Sequence, residues 1–171
     1  MPNIIDIYGD DAVTDSIINK TITEIIDDVV TSIGISAFRE CSSLTIADFP
    51  IATSIGVSAF RGCSSLTTAN FPIATSIGGE AFYSCSALTT ADFPAVTTIG
   101  SEVFRGCSSL TTLILRNTQE VATLSSINAF QNANNCIIYV PDALVNSYKE
   151  ATNWSTYADR IKGLSELSET E

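Results

Sequence analysis

Five cysteines have the widest chemical repertoire in this sequence, and four of them recur at one fixed interval: Cys41, Cys63, Cys85 and Cys107. If one such interval makes one turn of a stacked chain, neighbouring thiols lie about 4.8 Å apart, which is within the Cα range of a disulfide. Stacked side chains point in parallel, however, whereas a bridge needs them to converge. The pattern therefore favours reduced thiols in a core, with bridging and metal binding as the alternatives.

A polar column has the same spacing, because Asp48, Asn70 and Asp92 recur at the interval of the cysteines. Carboxylates two turns apart lie roughly 9–10 Å from each other, near the upper end of the ~6.5–9.5 Å between the two carboxyl groups of an inverting glycosidase. Ca²⁺ also takes carboxylate and amide oxygens. The third interpretation is a solvated column on an exposed sheet. We prefer it because nothing else in the chain supplies a sugar cleft, and we predict neither a cofactor nor a metal ion.

The charge balance excludes several classes of function. The sequence has 8 Lys and Arg against 19 Asp and Glu, which gives a net charge of −11 and a pI of about 4.2. Nucleic-acid binding needs clustered cations, and so does attachment to an anionic membrane. The absence of histidine removes Ser-His-Asp and Cys-His nucleophiles and His-ligated metals. We therefore predict a protein that is not an enzyme and neither binds nucleic acid nor inserts into a membrane.

A 22-residue repeat must position these columns. Alternation at Ala69 and Phe71 predicts a strand that ends at Pro72. A second short strand ends at Gly78, where we expect a turn with positive φ. Residues 79–85 lack alternation and predict a short helical turn. Four copies in one register indicate a solenoid; the other recurring residues are Phe38, Phe60, Phe82 and Phe104, Leu44, Leu66, Leu88 and Leu110, and Ile33, Ile55, Ile77 and Ile99, each isoleucine followed by glycine.

The pattern L-x-x-A-x-F-P…S-I-G…A-F…C resembles the BspA-like (Treponema pallidum type) leucine-rich repeat over roughly residues 22–140. The resemblance implies a leucine-rich-repeat solenoid of parallel β coils, one coil per repeat, with short helical turns. Here the aliphatic residue usual at the fourth position becomes alanine, as at Ala69, while the sixth enlarges to phenylalanine, as at Phe71. That change looks like a volume-conserving exchange in the core.

Both ends of the repeat array deviate, as caps of a solenoid must. We predict a single domain over residues 1–171: an N-terminal cap at 1–30, repeats at 31–140, a helical C-terminal cap at 141–163 and a frayed tail at 164–171. We expect Asp142 to cap a helix with an apolar stripe. The acidic N-terminal residues, which would keep that end soluble, are Asp6, Asp10, Asp11 and Asp15; the two cap stripes are Leu144, Val145, Tyr148 and Ala151, then Trp154, Tyr157, Ala158 and Ile161.

The resemblance also implies a non-catalytic module of the bacterial surface or adhesin type, which recognises a protein or a glycan through its repeated face. It suggests a cell-surface or secreted location, although no signal peptide or anchor is visible in the chain. The second hypothesis is a structural spacer or appendage module of a larger assembly, such as a phage-associated one. We expect a monomer. The predicted contact surface, here called the strand face, is the outward side of the first strand of each unit: Ile46, Asp48, Thr68, Asn70, Thr90, Asp92, Thr112 and Ile114.

A second column is the alternative contact surface. Arg39, Arg61 and Arg105 share one repeat position, which Tyr83 takes in the third coil. Arginine and tyrosine are favoured at recognition hot spots. They also cover apolar surface with their stems, so the column has a purely structural interpretation too.

Overall fold

The chain winds through successive coils that each contribute one longer and one shorter strand, and all strand pairs are parallel. The structure, a computed structural model, describes residues 21–167. The acidic residues Asp6, Asp10, Asp11 and Asp15 therefore lie outside the described residues, as does the end of the tail from residue 168. We number the coils one to five as residues 22–43, 44–65, 66–87, 88–109 and 110–135.

The longer strands carry the predicted alternation of buried and outward side chains. Ala47, Phe49, Ala91 and Phe93 are buried, and the residues between them point outward. The inward and outward phases of the sequence prediction are therefore confirmed at Ile46–Asp48 and Thr90–Phe93, whereas Thr112–Leu115 is buried at three successive positions. The longer strands are β1 (Glu24–Ile26), β3 (Ile46–Asp48), β5 (Thr68–Asn70), β7 (Thr90–Phe93), β9 (Thr112–Leu115) and β11 (Ile137–Val140).

The shorter strands form one continuous sheet of five, in the order β10-β8-β6-β4-β2. Each contributes one buried aliphatic residue, and Ile55, Ile77 and Ile99 stack in register. This second sheet closes the other side of the solenoid. The shorter strands are β2 (Ser32–Ile33), β4 (Ser54–Ile55), β6 (Ser76–Ile77), β8 (Thr98–Ile99) and β10 (Thr123–Leu124).

Two columns of phenylalanine fill the core between the sheets. Phe60 stacks on Phe82 with ring centroids 5.4 Å apart, and Phe82 stacks on Phe104 at 5.7 Å. The other column contacts the first with tilted or edge-on rings, for example Phe71 edge-on against Phe60 at 5.7 Å. Offset and edge-on contacts are the geometries that aromatic rings favour. The columns are Phe38, Phe60, Phe82, Phe104 and Phe130, and Phe49, Phe71 and Phe93.

Gly56, Gly78 and Gly100, which follow short strands, serve close packing and do not have a positive φ, so that expectation was wrong. At Gly78 an added Cβ would lie 2.5 Å from the backbone nitrogen of Val57 in the preceding coil, and at Gly56 it would lie 2.6 Å from the carbonyl carbon of Gly34. A side chain here would hold neighbouring coils apart. Positive φ occurs instead at the turns, including the glycines Gly62 and Gly106.

The turn segment that closes each coil is built from consecutive i→i+3 hydrogen bonds. In coil two, Arg61 N donates to Ser58 O at 3.1 Å and Cys63 N donates to Phe60 O at 3.1 Å. Bonds to the next coil run through the same segment, since Phe60 N donates to Ala81 O at 2.8 Å. The turn side is therefore hydrogen-bonded from coil to coil.

The longer strands, in contrast, divide into two sheets with a seam between coils three and four. One sheet has the order β1-β3-β5, whereas β7, β9 and β11 belong to another, and β5 and β7 do not pair. At the seam Ala87 N donates to Ser64 O at 3.2 Å. The rings of Phe71 and Phe93 are 6.5 Å apart there, against 5.5 Å for Phe49 and Phe71.

The fifth coil absorbs four extra residues without breaking the phenylalanine column. Leu124 pairs with Ile99, three positions later than the repeat would place it, and Phe130 stacks on Phe104 four positions late. Three extra residues therefore precede β10 and one follows it. The fifth cysteine lies outside the thiol column, since Cys136 N donates to Ala133 O just as Leu110 N donates to Cys107 O. Cys136 thus takes the leucine position of the repeat.

The C-terminal cap closes the second sheet with side chains instead of a further strand. Trp154 Nε1 donates to Ala122 O at 2.6 Å, and Ala122 N donates to the Tyr148 hydroxyl at 3.0 Å. Asn153 Nδ2 donates to Leu124 O at 2.7 Å. These bonds satisfy backbone groups on the outer edge of the last coil, where an open edge would invite pairing with another chain.

Three details of the cap differ from the prediction. The helices are short: a 3₁₀ turn Asp142–Leu144, α1 (Val145–Glu150) and a 3₁₀ helix Trp154–Arg160. The Asp142 side chain does not cap its helix but accepts a hydrogen bond from the Ser165 hydroxyl. Ile161 lies not in a helix but in a strand, β12 (Ile161–Gly163), whose backbone pairs with β11 and extends the sheet.

The start of the predicted frayed tail is structured. Leu164–Glu166 form a 3₁₀ turn in which Gly163 N donates to Glu166 Oε1 at 3.2 Å. The turn follows directly from β12, so the sheet and the Asp142 contact hold it in place.

Candidate functional site

The strand face is open on its N-terminal half, which β3 and β5 form. Thr68 and Asn70 are exposed, and Ile46 and Asp48 are half-buried. Asn70 Nδ2 donates to Asp48 Oδ1 at 2.7 Å, so the carboxylate and the amide of neighbouring coils form one polar pair. No described cation forms a salt bridge with Asp48, and its second oxygen has no hydrogen bond within the described residues. This half presents net negative charge to solvent.

The C-terminal half of the strand face, formed by β7 and β9, is closed by an arginine. Arg116 Nη2 donates to Asp92 Oδ2 at 2.8 Å, and its Nε contacts both carboxylate oxygens at 3.1 Å. This hydrogen bond raises the pKa of Arg116 above its ordinary value. Arg116 takes the position at which earlier coils have proline. Its contact with Asp92 neutralises that carboxylate.

The structure corrects one predicted contact residue. Ile114 is 6 % exposed, so it offers little surface to a ligand, although it lies on the outward side of β9 and outside the hydrophobic core cluster. In register it lies between Asp92 and Tyr139. Thr90 on β7 is exposed, while Thr112 on β9 is half-buried. Only the open half therefore displays its predicted residues together.

The contacts also argue against calcium binding by the polar column. Asn70 turns its amide nitrogen toward Asp48, and the Arg116 guanidinium engages Asp92. The seam separates Asn70 from Asp92, because β5 and β7 do not pair. The three side chains consequently do not converge, as the oxygen ligands of a calcium site must.

Threonines border the strand face and connect the coils. Thr45 Oγ1 donates to Thr23 O at 2.8 Å, and Thr67 Oγ1 donates to Thr45 O at 3.1 Å. A second column does the same beside the second sheet, where Thr53 Oγ1 donates to Thr31 O at 3.0 Å. These hydroxyls satisfy the backbone of the preceding coil, so their first role is structural.

The arginine column on the turn side is a self-contained network. The Arg61 guanidinium lies 4.3 Å above the Tyr83 ring, and that of Arg105 lies 5.7 Å from the same ring. Arg61 also pairs with Glu80, and Arg105 with Glu102 at 2.9 Å. Arg61 and Arg105 thus each have a carboxylate and an aromatic partner within the protein, which leaves them less available to a ligand than the open half of the strand face. Arg39 is exposed and contacts Glu40 at 3.6 Å.

The thiols form a buried hydrogen-bonded column. Cys63 Sγ donates to Phe38 O at 3.0 Å, and Cys85 and Cys107 repeat the contact one coil further on. Burial raises the pKa of the Cys107 thiol to about 12 and raises that of Cys85 well above its ordinary value. A high pKa and burial make the thiols of Cys85 and Cys107 unreactive. All five cysteines are free, as the sequence predicted.

The family model described as BspA type leucine-rich repeat region matches residues 10–137 in six copies. The chain belongs to this family. The match confirms the resemblance that the repeat motif carries, and the parallel coils confirm the leucine-rich-repeat solenoid with a helical C-terminal cap. A comparison with curated proteins gives no significant match.

Solved structures of related proteins share the fold. A leucine-rich repeat protein from T. pallidum has 28% identity and a TM-score of 0.57, over 71% of this chain and 54% of that one. One from Bacteroides ovatus has 29% identity and a TM-score of 0.63, over 82% and 35%. A leucine rich cell surface protein from Faecalibacterium prausnitzii has 30% identity and a TM-score of 0.50, over 70% and 39%. The chain thus spans about a third to a half of these proteins' length.

Sequence reasoning missed two features that shape the site. Arg116 breaks the Phe-Pro motif, and that departure was the available signal for a changed face. The seam lies after coil three, which ends in Ala87, whereas coils one, two and four end in serine at positions 43, 65 and 109. This single substitution is too small a signal to interpret from sequence.

Among residues 21–167, no helix is long and apolar enough to cross a bilayer.

Proposed function

We propose that the chain is a non-catalytic interaction module that binds a protein or glycan ligand through the strand face. The open half carries the proposal: Asp48 and Asn70 form an outward polar pair beside the exposed Thr68, and no described cation covers them. A carboxylate, an amide and a hydroxyl offer both donors and acceptors to a hydroxyl-rich or basic ligand. The binding residues are those of the open half, with Thr90 at its border.

Membership of a leucine-rich-repeat family supports the interaction role. One structural neighbour is described as a cell surface protein, which supports the expectation that this chain acts at a cell surface or after secretion. Each coil adds only a few side chains to the face, so single contacts are weak. Useful affinity would come from several coils, or several copies, binding together.

A direct test compares two arginine substitutions. Asn70→Arg adds a long cationic side chain to the open half, whereas Asn134→Arg adds the same side chain to an exposed position in coil five. The wild-type chain and both variants are applied to arrays of glycans and of surface proteins. We expect Asn70→Arg to lose the wild-type ligands and Asn134→Arg to keep them. Equal binding by both variants would move the site elsewhere, first to the arginine column.

The structural spacer is the second candidate function. The uninterrupted second sheet and the phenylalanine column from Phe38 to Phe130 give the solenoid a continuous frame. A spacer needs such a frame and no ligand. An array experiment without any specific ligand, together with unchanged stability of Asn70→Arg, would favour this alternative.

A further inference from the structure

Three exposed aliphatic side chains line one corner of the first three coils; the other exposed large aliphatic residues among those described are Ile26, Ile35, Val57 and Ile127. Val29, Ile51 and Ile73 occupy the same repeat position, one residue after the end of the Phe-Pro motif in coils two and three. Their exposed fractions are 77 %, 38 % and 44 %. In coil four the position is taken by the half-buried Ala95. We call Val29, Ile51 and Ile73 the corner strip.

The corner strip runs along the solenoid axis between the open half of the strand face and the second sheet. Parallel strands repeat every 4.7–4.9 Å or so, which sets the spacing of its three side chains. Ile26 on β1, which pairs with Asp48 and so belongs to the strand face, is also exposed. Isolated exposed aliphatic residues need no explanation, whereas exposed aliphatic residues that recur on successive coils are candidates for the apolar patches at which proteins interact.

The surroundings of the corner strip carry charge of one sign. Glu24, Asp28 and Asp48 lie on the same coils, at the positions that precede the strip. Residues 22–38, 44–60 and 66–82 contain no lysine or arginine. Within these described segments the strip is therefore apolar, flanked by carboxylates and without a cation. A partner that complements it needs apolar side chains flanked by lysine or arginine.

We propose that the corner strip docks an amphipathic helix of a basic partner protein, with one apolar side chain of that helix per coil. The helix repeats its apolar face about every 5.4 Å, whereas an extended peptide repeats one side about every 6.6–6.8 Å. Over the two intervals of the strip, the mismatch is about 1 Å for a helix and about 4 Å for a strand. This inference rests on the proposed interaction function and specifies the partner.

The first experiment uses synthetic peptides as probes. The helical probe is an amidated peptide of about 18 residues of leucine, lysine and alanine, with leucines on one helical face. A scrambled peptide of the same composition and an alternating leucine-lysine peptide are the controls. Anisotropy titrations with the full chain in about 0.15 M salt should show the helical probe binding at least about tenfold more tightly than either control. Equal binding of the scrambled peptide would overturn the proposal.

The second experiment locates the peptide with matched variants. Ile51→Thr combined with Ile73→Thr removes apolar surface from the corner strip, and Ile127→Thr removes it from coil five, where Ile127 is 53 % exposed. We expect the double variant to weaken the helical probe by about tenfold or more and Ile127→Thr to leave it unchanged. An unchanged affinity in the double variant would refute the assignment. Circular dichroism checks that each variant keeps the wild-type fold.

The charges make a separate prediction for the same probe. Asp28→Asn combined with Asp48→Asn should weaken binding and flatten its dependence on salt, because fewer ions are displaced. An unchanged salt dependence would mean that these carboxylates do not attract the probe. The two proposals can fail independently: loss of an array ligand in Asn70→Arg supports the strand face even if the strip variants bind the probe normally. Loss of the probe in the strip variants supports the strip even if the arrays give no ligand.

Discussion

The two halves of the strand face have the same repeat positions and opposite surface properties. In the open half, Asp48 pairs with Asn70 and faces solvent, whereas in the other half Asp92 is held by Arg116 and the adjacent column residue, Ile114, is buried. The repeat places both aspartates on the same side of a strand. Their availability is decided by residues outside the repeat consensus. In a solenoid the repeat therefore predicts where a side chain lies, and the deviations predict what it can do.

The largest effects should appear in the core, which both halves share. Phe60→Ala and Phe82→Ala should each reduce the free energy of unfolding by about 3–5 kcal/mol, since each ring stacks on neighbours in both directions. Urea unfolding of the two variants measures the loss. A much smaller loss at Phe82, which lies beside the seam, would show that the two halves are separate down to the core.

The repeated glycines compare the first coil with an interior coil. Gly78→Ala places a Cβ against the backbone of Val57, and we expect a loss of about 3 kcal/mol because backbone atoms cannot move aside easily. At Gly34 no described atom lies within 4 Å of the added carbon, so Gly34→Ala should change stability by less than about 1 kcal/mol. Thermal unfolding of the two variants measures both losses of stability. Equal losses would mean that the first coil is packed as tightly as the interior.

The thiol column predicts a loss of stability in alkali. The Cys107 thiol keeps its proton in the folded state up to about pH 12, whereas an unfolded thiol loses it near 9.0. The unfolded state therefore binds fewer protons between these values, and stability falls as the pH rises. Cys107→Ala should reduce that slope by about 1.4 kcal/mol per pH unit. Urea midpoints measured from pH 8 to 11 test it, and a slope identical to wild type would contradict the burial of this thiol.

Variants of Asp92 and Asp48 test whether Arg116 makes the two halves of the strand face different. Asp92→Asn leaves the Arg116 guanidinium without its carboxylate, and we expect a loss of up to about 1 kcal/mol that high salt reduces, since the pair is partly exposed. Asp48→Asn should change stability by less than about 0.5 kcal/mol. A double-mutant cycle with Arg116→Gln measures the coupling. Coupling near zero would mean that Arg116 does not close its half of the face.

The smallest effect belongs to an outward threonine of the open half. Thr68 is exposed on β5, so Thr68→Ala should stay within about ±0.5 kcal/mol of wild type. Thermal unfolding beside Phe60→Ala provides the comparison. A large loss at Thr68 with a small one at Phe60 would invert the inward and outward sides of the strand.

Most of the fold could be predicted because the repeat fixes it. The spacing of Phe60 and Phe82 and the alternation of Ala47 with Asp48 give the coil, the core and the outward side. The conformation at Gly78 was predicted incorrectly, since glycine permits both positive φ and close approach, and only the neighbouring coil decides between them. Whether the Asp92 carboxylate is free to bind a ligand depends on Arg116, which lies in the next coil. A contact between residues so far apart in sequence leaves no local pattern from which it could be predicted.

The cap recognises the last coil through its backbone, using Tyr148, Asn153 and Trp154. Because backbone groups are the same in every coil, gene duplication upstream could lengthen the array without redesigning its end. Each duplicated unit would add about 4.8 Å and one more set of outward side chains. The length of the solenoid and the number of its binding positions can therefore change by one coil at a time during evolution, while the C-terminal cap is kept unchanged.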